Sequence, residues 1–127
     1  MGRPVLKYLV DSVIVIDHLN GIISATEFLA DHAPHCAVSV ITRAEVLAGC
    51  DEATSQPAAG LLNHFPALPV TLDIADLAAR LRRSERWKLP DAIQAAIAIE
   101  HRLTLVTRNT RDFQPGKNPE VLIPYVI

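Results

Sequence analysis

The sequence predicts an α/β fold, a central parallel sheet with helices on both faces. Apolar, partly β-branched runs at 5–10, 36–40, 68–72, 104–107 and 121–123 have strand character. Stretches with helical apolar spacing alternate with them, as crossover connections between parallel strands require. The 127 residues fit one domain spanning 1–127, with no internal repeat, low-complexity tract or dividing linker. A chain of this length buries roughly two-thirds of its unfolded surface, enough for a core between layers.

The elements follow in order. Residues 5–10 form the first strand, ended by Asp11-Ser12, and a short helix then runs to Leu19, where Asn20-Gly21 closes it. Residues 22–32 place Ile22, Ile23, Ala25, Phe28 and Leu29 on a helical period that Pro34 stops. The second strand, 36–40, leads into a helix over 41–49, with Thr42 and Glu45 at capping-box spacing and Gly49 as its stop. A helix over 53–65 breaks at Pro66. The third strand, 68–72, precedes a helix over 73–87, where Ile74, Leu77, Ala78 and Leu81 form the inner stripe and Arg82, Arg83 and Arg86 face away. Pro90-Asp91 opens a helix over 92–102, alanine-rich and apolar almost all round, so packed on more than one side. Strands at 104–107 and 121–123 complete the sheet.

Composition excludes several classes. Half the residues are apolar, yet no run approaches the roughly 18 residues of a membrane span. The first residues, Met1-Gly2-Arg3-Pro4, lack the apolar core of a secretory signal, so a cytoplasmic location is the expectation. Cys36 and Cys50 make neither a CxxC nor a disulfide ladder and read as ordinary thiols. The five histidines form no HxxxH pair, which argues against zinc. Net charge is −2, but Arg80, Arg82, Arg83, Arg86 and Lys88 fall within nine positions, and Arg102, Arg108 and Arg111 follow. A near-neutral total can hide a basic rim around an acidic centre that would hold phosphates, although arginines such as Arg82, Arg83 and Arg86 are more often a solvated helix face.

Ligands of open parallel sheets bind at the carboxyl ends of the strands. Four acids fall there: Asp11 after the first strand, Glu45 in the helix after the second, Asp91 opening the penultimate helix, and Asp112 after the fourth strand. Each has a structural role open to it. Asp11 could cap a helix, Glu45 complete a capping box, Asp91 favour a helix dipole and Asp112 sit in a turn. Together they carry a larger implication. Two carboxylates about 5 Å apart repel by roughly 3 kcal/mol at an effective dielectric of about 20. A fold keeps such a group mainly to hold a hard divalent ion, and all-oxygen ligands select Mg2+ or Mn2+. Such an ion activates water and offsets charge on a phosphate.

The same segments carry a family resemblance. They are Leu9-Val10-Asp11-Ser12, Ser39-Val40-Ile41-Thr42-Arg43-Ala44-Glu45-Val46-Leu47-Ala48-Gly49, Leu89-Pro90-Asp91-Ala92-Ile93-Gln94-Ala95-Ala96-Ile97-Ala98 and Leu105-Val106-Thr107-Arg108-Asn109-Thr110-Arg111-Asp112-Phe113, with Pro124-Tyr125 near the end. On these the chain resembles the PIN-domain ribonucleases and, within them, the VapC toxins of toxin–antitoxin pairs. The resemblance implies a three-layer α/β/α PIN-like domain and Mg2+-dependent hydrolysis of RNA, leaving a 3′-hydroxyl and a 5′-phosphate. It maps the family's acidic quartet onto Asp11, Glu45, Asp91 and Asp112, with Asp11 and Asp91 as first choices for direct ligands. Asn109, and a hydroxyl from Thr107 or Ser12, resemble its supporting polar positions. A VapB-type antitoxin and a homodimer are the implied partners. One departure is Asp11-Ser12-Val13 where the family usually has Asp-Thr-Asn; serine keeps the hydroxyl, but Val13 supplies no amide.

Two rival readings fit poorly. An aspartyl phosphatase needs a second Asp two residues after the first, and position 13 is valine. A receiver domain wants a late-strand lysine, where Thr107-Arg108 stands. The intact quartet argues against a binding module that has lost catalysis, and a mostly structural interaction protein is the other alternative.

Overall fold

A computed structural model describes residues 4–113 and 118–127. In chain order the elements are β1 (Tyr8–Val10), α1 (Ser12–Leu19), α2 (Ile23–His32), β2 (Cys36–Ser39), α3 (Val40–Ala48), α4 (Glu52–Leu62), β3 (Ala67–Leu68), α5 (Leu72–Glu85), α6 (Leu89–His101), β4 (Thr104–Val106) and β5 (Val121–Leu122). A single turn of 3-10 helix, Ala33–His35, links α2 to β2. The five strands form one parallel sheet in the order β3-β2-β1-β4-β5, so the α/β expectation holds.

Strand alternation builds the two cores. Successive side chains of a strand point to opposite faces. Accordingly Leu9 and Leu105 join Ile74, Ala78, Ala95 and Ile97 on the face covered by α5 and α6. Val10 and Val106 join Ile14, Phe28, Val46 and Leu62 on the face covered by α1 to α4. The sheet is thus the middle of three layers. α6 buries Ala92 and the whole run Gln94 to Ala98, which explains its apolar circumference. α1 and α2 meet at 117° through Asn20 and Gly21, and Gly21 takes a φ of +83° that suits glycine. Among the described residues no single helix is long and apolar enough to cross a membrane.

Several boundaries differ from the sequence expectation for identifiable reasons. The third strand is shorter and earlier, Ala67–Leu68, because Pro69 has no N–H for a ladder and Thr71 already caps α5 through the Ile74 N–H. α5 stops at Glu85, where Arg86 adopts the left-handed conformation at φ 61°. The Thr42–Glu45 capping box is not formed. α3 begins earlier, Ser39 is its N-cap and accepts from the Thr42 N–H at 3.0 Å, so Glu45 is free of that duty. A capping box occurs instead at Asp51 and Thr54 of α4.

Candidate active site

The order of strands reverses at β1 and β4: the chain builds outward from β1 through β2 to β3, then returns to β4 on the other side. Asp11 and Thr107 are the residues that leave these two neighbouring strands. The Asp11 N–H donates to the Val106 carbonyl at 2.9 Å, which seats Asp11 at the sheet's carboxyl edge. Its side chain is 7% exposed and well partnered. Oδ1 accepts from the Ser12 N–H at 2.9 Å and from Gln94 Nε2 at 3.0 Å, and Oδ2 accepts from Thr107 Oγ1 at 2.8 Å. A carboxylate oxygen has two acceptor positions, so Oδ2 retains one. Asp11 is both the α1 cap and a constrained, buried carboxyl group.

The other three acids lie within electrostatic reach. Asp91, in the first turn of α6, has its carboxyl pushed up to about 6 by burial first, then by the charges of Asp11, Asp112 and Glu45 and a hydrogen bond with Asp112. Glu45 is raised by partial burial and by Asp11, while a hydrogen bond from the Ser12 side chain works the other way. The charges of Asp11 at the α1 cap, Glu45 in α3 and Asp112 in the turn after β4 therefore all bear on Asp91 at the start of α6.

That turn is tied down at both ends. Asn109 donates from Nδ2 to Asp112 Oδ2 at 3.1 Å, and the Asp112 N–H donates back to Asn109 Oδ1 at 3.2 Å. The Asn109 N–H donates to Thr107 Oγ1 at 3.0 Å, linking the turn to the hydroxyl that holds Asp11. On one side Arg108 pairs with Asp17, whose carboxyl it holds below the ordinary value. On the other, Trp87 Nε1 donates to the Asp112 carbonyl at 2.9 Å and its ring packs on Phe113 at 5.0 Å. Ser12, Thr107 and Asn109 thus all contact the acidic group, whereas Val13 packs against the α1–α4 core.

Does this donor set suit a divalent cation? The donors are hard carboxylate oxygens, and Asp11 keeps a spare acceptor position, which fits Mg2+ or Mn2+. Among the described residues no three acids converge closely enough to enclose an ion as placed. The elevated Asp91 carboxyl reflects its burial first and then the like charges around it. The set is an open one, able to share a cation with water and phosphate oxygens.

Sequence reasoning missed three contributors. Gln94 is 1% exposed and bonds to Asp11, Thr42 and Ser39. Its signal was a lone amide in an alanine-rich buried helix, three residues after Asp91. In the sequence Asp17 does no more than interrupt the apolar run 13–16, and Tyr125 belongs only to the terminal Pro124-Tyr125 pair. Two arginines of the expected basic rim also have structural partners: Arg108 is engaged with Asp17, and Arg82 donates to the Trp87 carbonyl. Arg82, Arg83 and Arg86 are nonetheless exposed, as their helical positions predict.

Comparison with known proteins agrees with this architecture. The PIN-domain family model matches residues 8–115. Ribonuclease VapC10 of Mycobacterium tuberculosis is 36% identical over 112 residues, covering 83% of this chain and 84% of that protein. Ribonuclease VapC19 of the same organism is 32% identical over 125 residues, covering 92% and 98%. A toxin–antitoxin complex from Klebsiella pneumoniae contains a chain with TM-score 0.88 and 38% identity, covering 95% of this chain and 100% of that one. VapBC2 from Rickettsia felis, solved with a promoter DNA fragment, shares the fold at TM-score 0.78 and 21% identity, over 92% and 98% of the two chains. The chain belongs to the PIN-domain family, and within it to the VapC proteins of toxin–antitoxin systems.

Proposed function

We propose that this protein is a Mg2+-dependent endoribonuclease, the toxin of a VapBC-type pair, with Asp11, Glu45, Asp91 and Asp112 as its catalytic and metal-binding residues. One observation carries the reading: the Asp91 carboxyl is raised first by burial and then by the charges of Asp11, Asp112 and Glu45, acids that come from separate parts of the chain. Structural carboxylates are normally dispersed or paired with cations; a repelling group at a sheet switch point is what metal-assisted phosphate chemistry requires.

Asp11 and Asp91 would hold the ion, with Glu45 and Asp112 beside them. When bound, Mg2+ or Mn2+ supplies Lewis acidity, making water a better nucleophile and offsetting charge on the phosphate. The chain's own work is alignment. Thr107 and the Ser12 N–H fix the two oxygens of Asp11, and Asn109 fixes Asp112. Burial of Asp11 limits competing water, and the exposed Arg83 and Arg86 are suited to RNA phosphates. Cytoplasmic RNA is the substrate, a VapB-type antitoxin is the cognate partner, and the protein assembles as a homodimer. The relatives named VapC ribonucleases support the ribonuclease assignment, and the Klebsiella toxin–antitoxin complex supports the antitoxin partner.

The test is cleavage of a mixed RNA pool in Mg2+ by purified protein, beside EDTA and an Asp91→Asn variant. Cleavage abolished by both controls is expected. Cutting that persists in EDTA, or in the variant, would remove the quartet from the mechanism.

A further inference from the structure

Gln94 is a buried polar side chain on a helix face otherwise made of Ala92, Ala95, Ala96, Ile97 and Ala98. An amide in such surroundings costs free energy unless its atoms are paired. All of them are. Nε2 donates to Asp11 Oδ1 at 3.0 Å and to Thr42 Oγ1 at 2.8 Å, while Oε1 accepts from Ser39 Oγ at 2.5 Å. Thr42 in turn reaches the Val10 carbonyl at 3.4 Å.

These partners stand at the end of β1, at the N-cap of α3 and in its first turn. Gln94 itself is one helical turn after Asp91. A single amide therefore joins the element that carries Asp91 to those that carry Asp11 and Glu45. Packing alone does not account for it, since a methionine or leucine would fill similar space with no polar atoms to satisfy. Rotating the Asp11 carboxylate would break its bonds to Gln94, Ser12 and Thr107 together, so its orientation is over-determined.

We infer that Gln94 is a positioning residue: its amide fixes the Asp11 carboxylate and ties α3 and α6 to it, so that Asp11 meets a divalent cation in a set orientation, with the helices that carry Glu45 and Asp91 held beside it. This rests on the metal-dependent reading above. Hydrogen-bond partners standing behind metal ligands typically matter by about 10- to 100-fold in affinity.

The experiment is calorimetric titration of Mn2+ into the full chain without RNA, for the wild type, Gln94→Met and Gln94→Asn. Thermal melts of the same samples establish that each is folded at the titration temperature. Methionine removes the amide at similar volume; asparagine keeps it but draws it back by one methylene, a second route should the first variant fail to fold. Mn2+ affinity falls about 10- to 100-fold in both. In parallel RNA assays the Mn2+ concentration giving half-maximal kcat rises, whereas a smaller folded fraction alone would lower kcat at every Mn2+ concentration. A folded variant that binds Mn2+ within about twofold of wild type overturns the assignment. Wild-type protein that binds no Mn2+ would instead overturn the metal reading itself, and Gln94's role with it.

Discussion

Arg108 grips Asp17 through two hydrogen bonds, Nε to Oδ2 at 2.5 Å and Nη2 to Oδ1 at 2.9 Å, and Tyr125 adds a third to Oδ2 at 2.7 Å. The cluster joins α1, the turn after β4 and the residues beyond β5. Because Arg108 follows Thr107 and begins the turn that ends at Asp112, this pair anchors one side of the acidic group. Trp87 and Phe113 anchor the other. Charge pairing and aromatic packing thereby constrain a segment that has no ladder of its own.

Asp17→Ala should be clearly destabilising, because it leaves a partly buried guanidinium and the Tyr125 hydroxyl without their acceptor. A decrease of about 2–3 kcal/mol at pH 7, read from urea unfolding, is expected. The pH dependence follows from the lowered Asp17 carboxyl. A carboxylate with a depressed folded value adds stability above its unfolded value, 3.8, and loses it as the pH falls through the folded value. The difference between wild type and variant is thus full at pH 7 and narrows in acid below 3.8. A difference that stayed constant in acid would assign the effect to missing packing instead.

Asp91→Asn should have the opposite sign in metal-free protein. The Asp91 carboxyl is raised from 3.8 to about 6, so ionising it costs more in the folded chain than in the unfolded one. That cost is absent below 3.8, grows as the pH rises and is complete above about 6. In EDTA at pH 7.5 the variant should be more stable by about 1–2 kcal/mol, a figure reduced for solvent screening. The advantage should vanish near pH 3.5, and saturating Mg2+ should reverse it by stabilising the wild type. A variant less stable than wild type in EDTA at pH 7.5 would mean that Asp91 is mainly a helix-dipole residue.

Local signals made most of this molecule readable from its residues. Leu9-Val10 and Leu105-Val106 alternate between two cores, and each run is followed at once by a polar residue, Asp11 or Thr107, at the sheet's carboxyl edge. Asp11 and Asp91 follow from a strand end and a helix start, whereas Glu45 lies within α3 and Asp112 in a turn. Long-range pairing was less accessible. Gln94 meets Asp11 across 83 positions and Arg108 meets Asp17 across 91, and nothing in either neighbourhood specifies the partner. Thr42 misled because Thr-x-x-Glu has capping-box spacing, while Ser39, three residues earlier, was the better placed hydroxyl. Pro69 displaced the third strand through a missing donor, a signal that the apolar run around it concealed.

The exposed arginines of α5 should divide by role. Arg82 donates to the Trp87 carbonyl, so Arg82→Ala loosens the α5–α6 junction and lowers the melting temperature. Arg83 faces solvent, so Arg83→Ala should leave stability nearly unchanged and weaken RNA binding. Removing one cation that neutralises a phosphate also lowers the slope of log affinity against log salt, by about 0.7 for a single strand. Filter binding across a salt series distinguishes the two. If Arg83→Ala leaves both affinity and slope unchanged, the basic run is a solvated helix face and RNA lies elsewhere.

The chain's single tryptophan stands where it can report on Asp112. Trp87 donates from Nε1 to the Asp112 carbonyl at 2.9 Å and packs on Phe113 at 5.0 Å, so a shift of that turn changes the indole's surroundings. If Asp112 moves to share a cation with Asp11 and Asp91, metal-free protein titrated with Mg2+ should change its tryptophan emission in a saturable way, with the same midpoint as calorimetric binding. Asp112→Asn keeps the backbone carbonyl that Trp87 uses and removes the charge that pulls the turn. It should therefore abolish the emission change while leaving the starting spectrum close to wild type. An emission change that survives in Asp112→Asn would place the motion in α6 rather than in the turn, and would leave Asp112 to orient water at a distance from the ion.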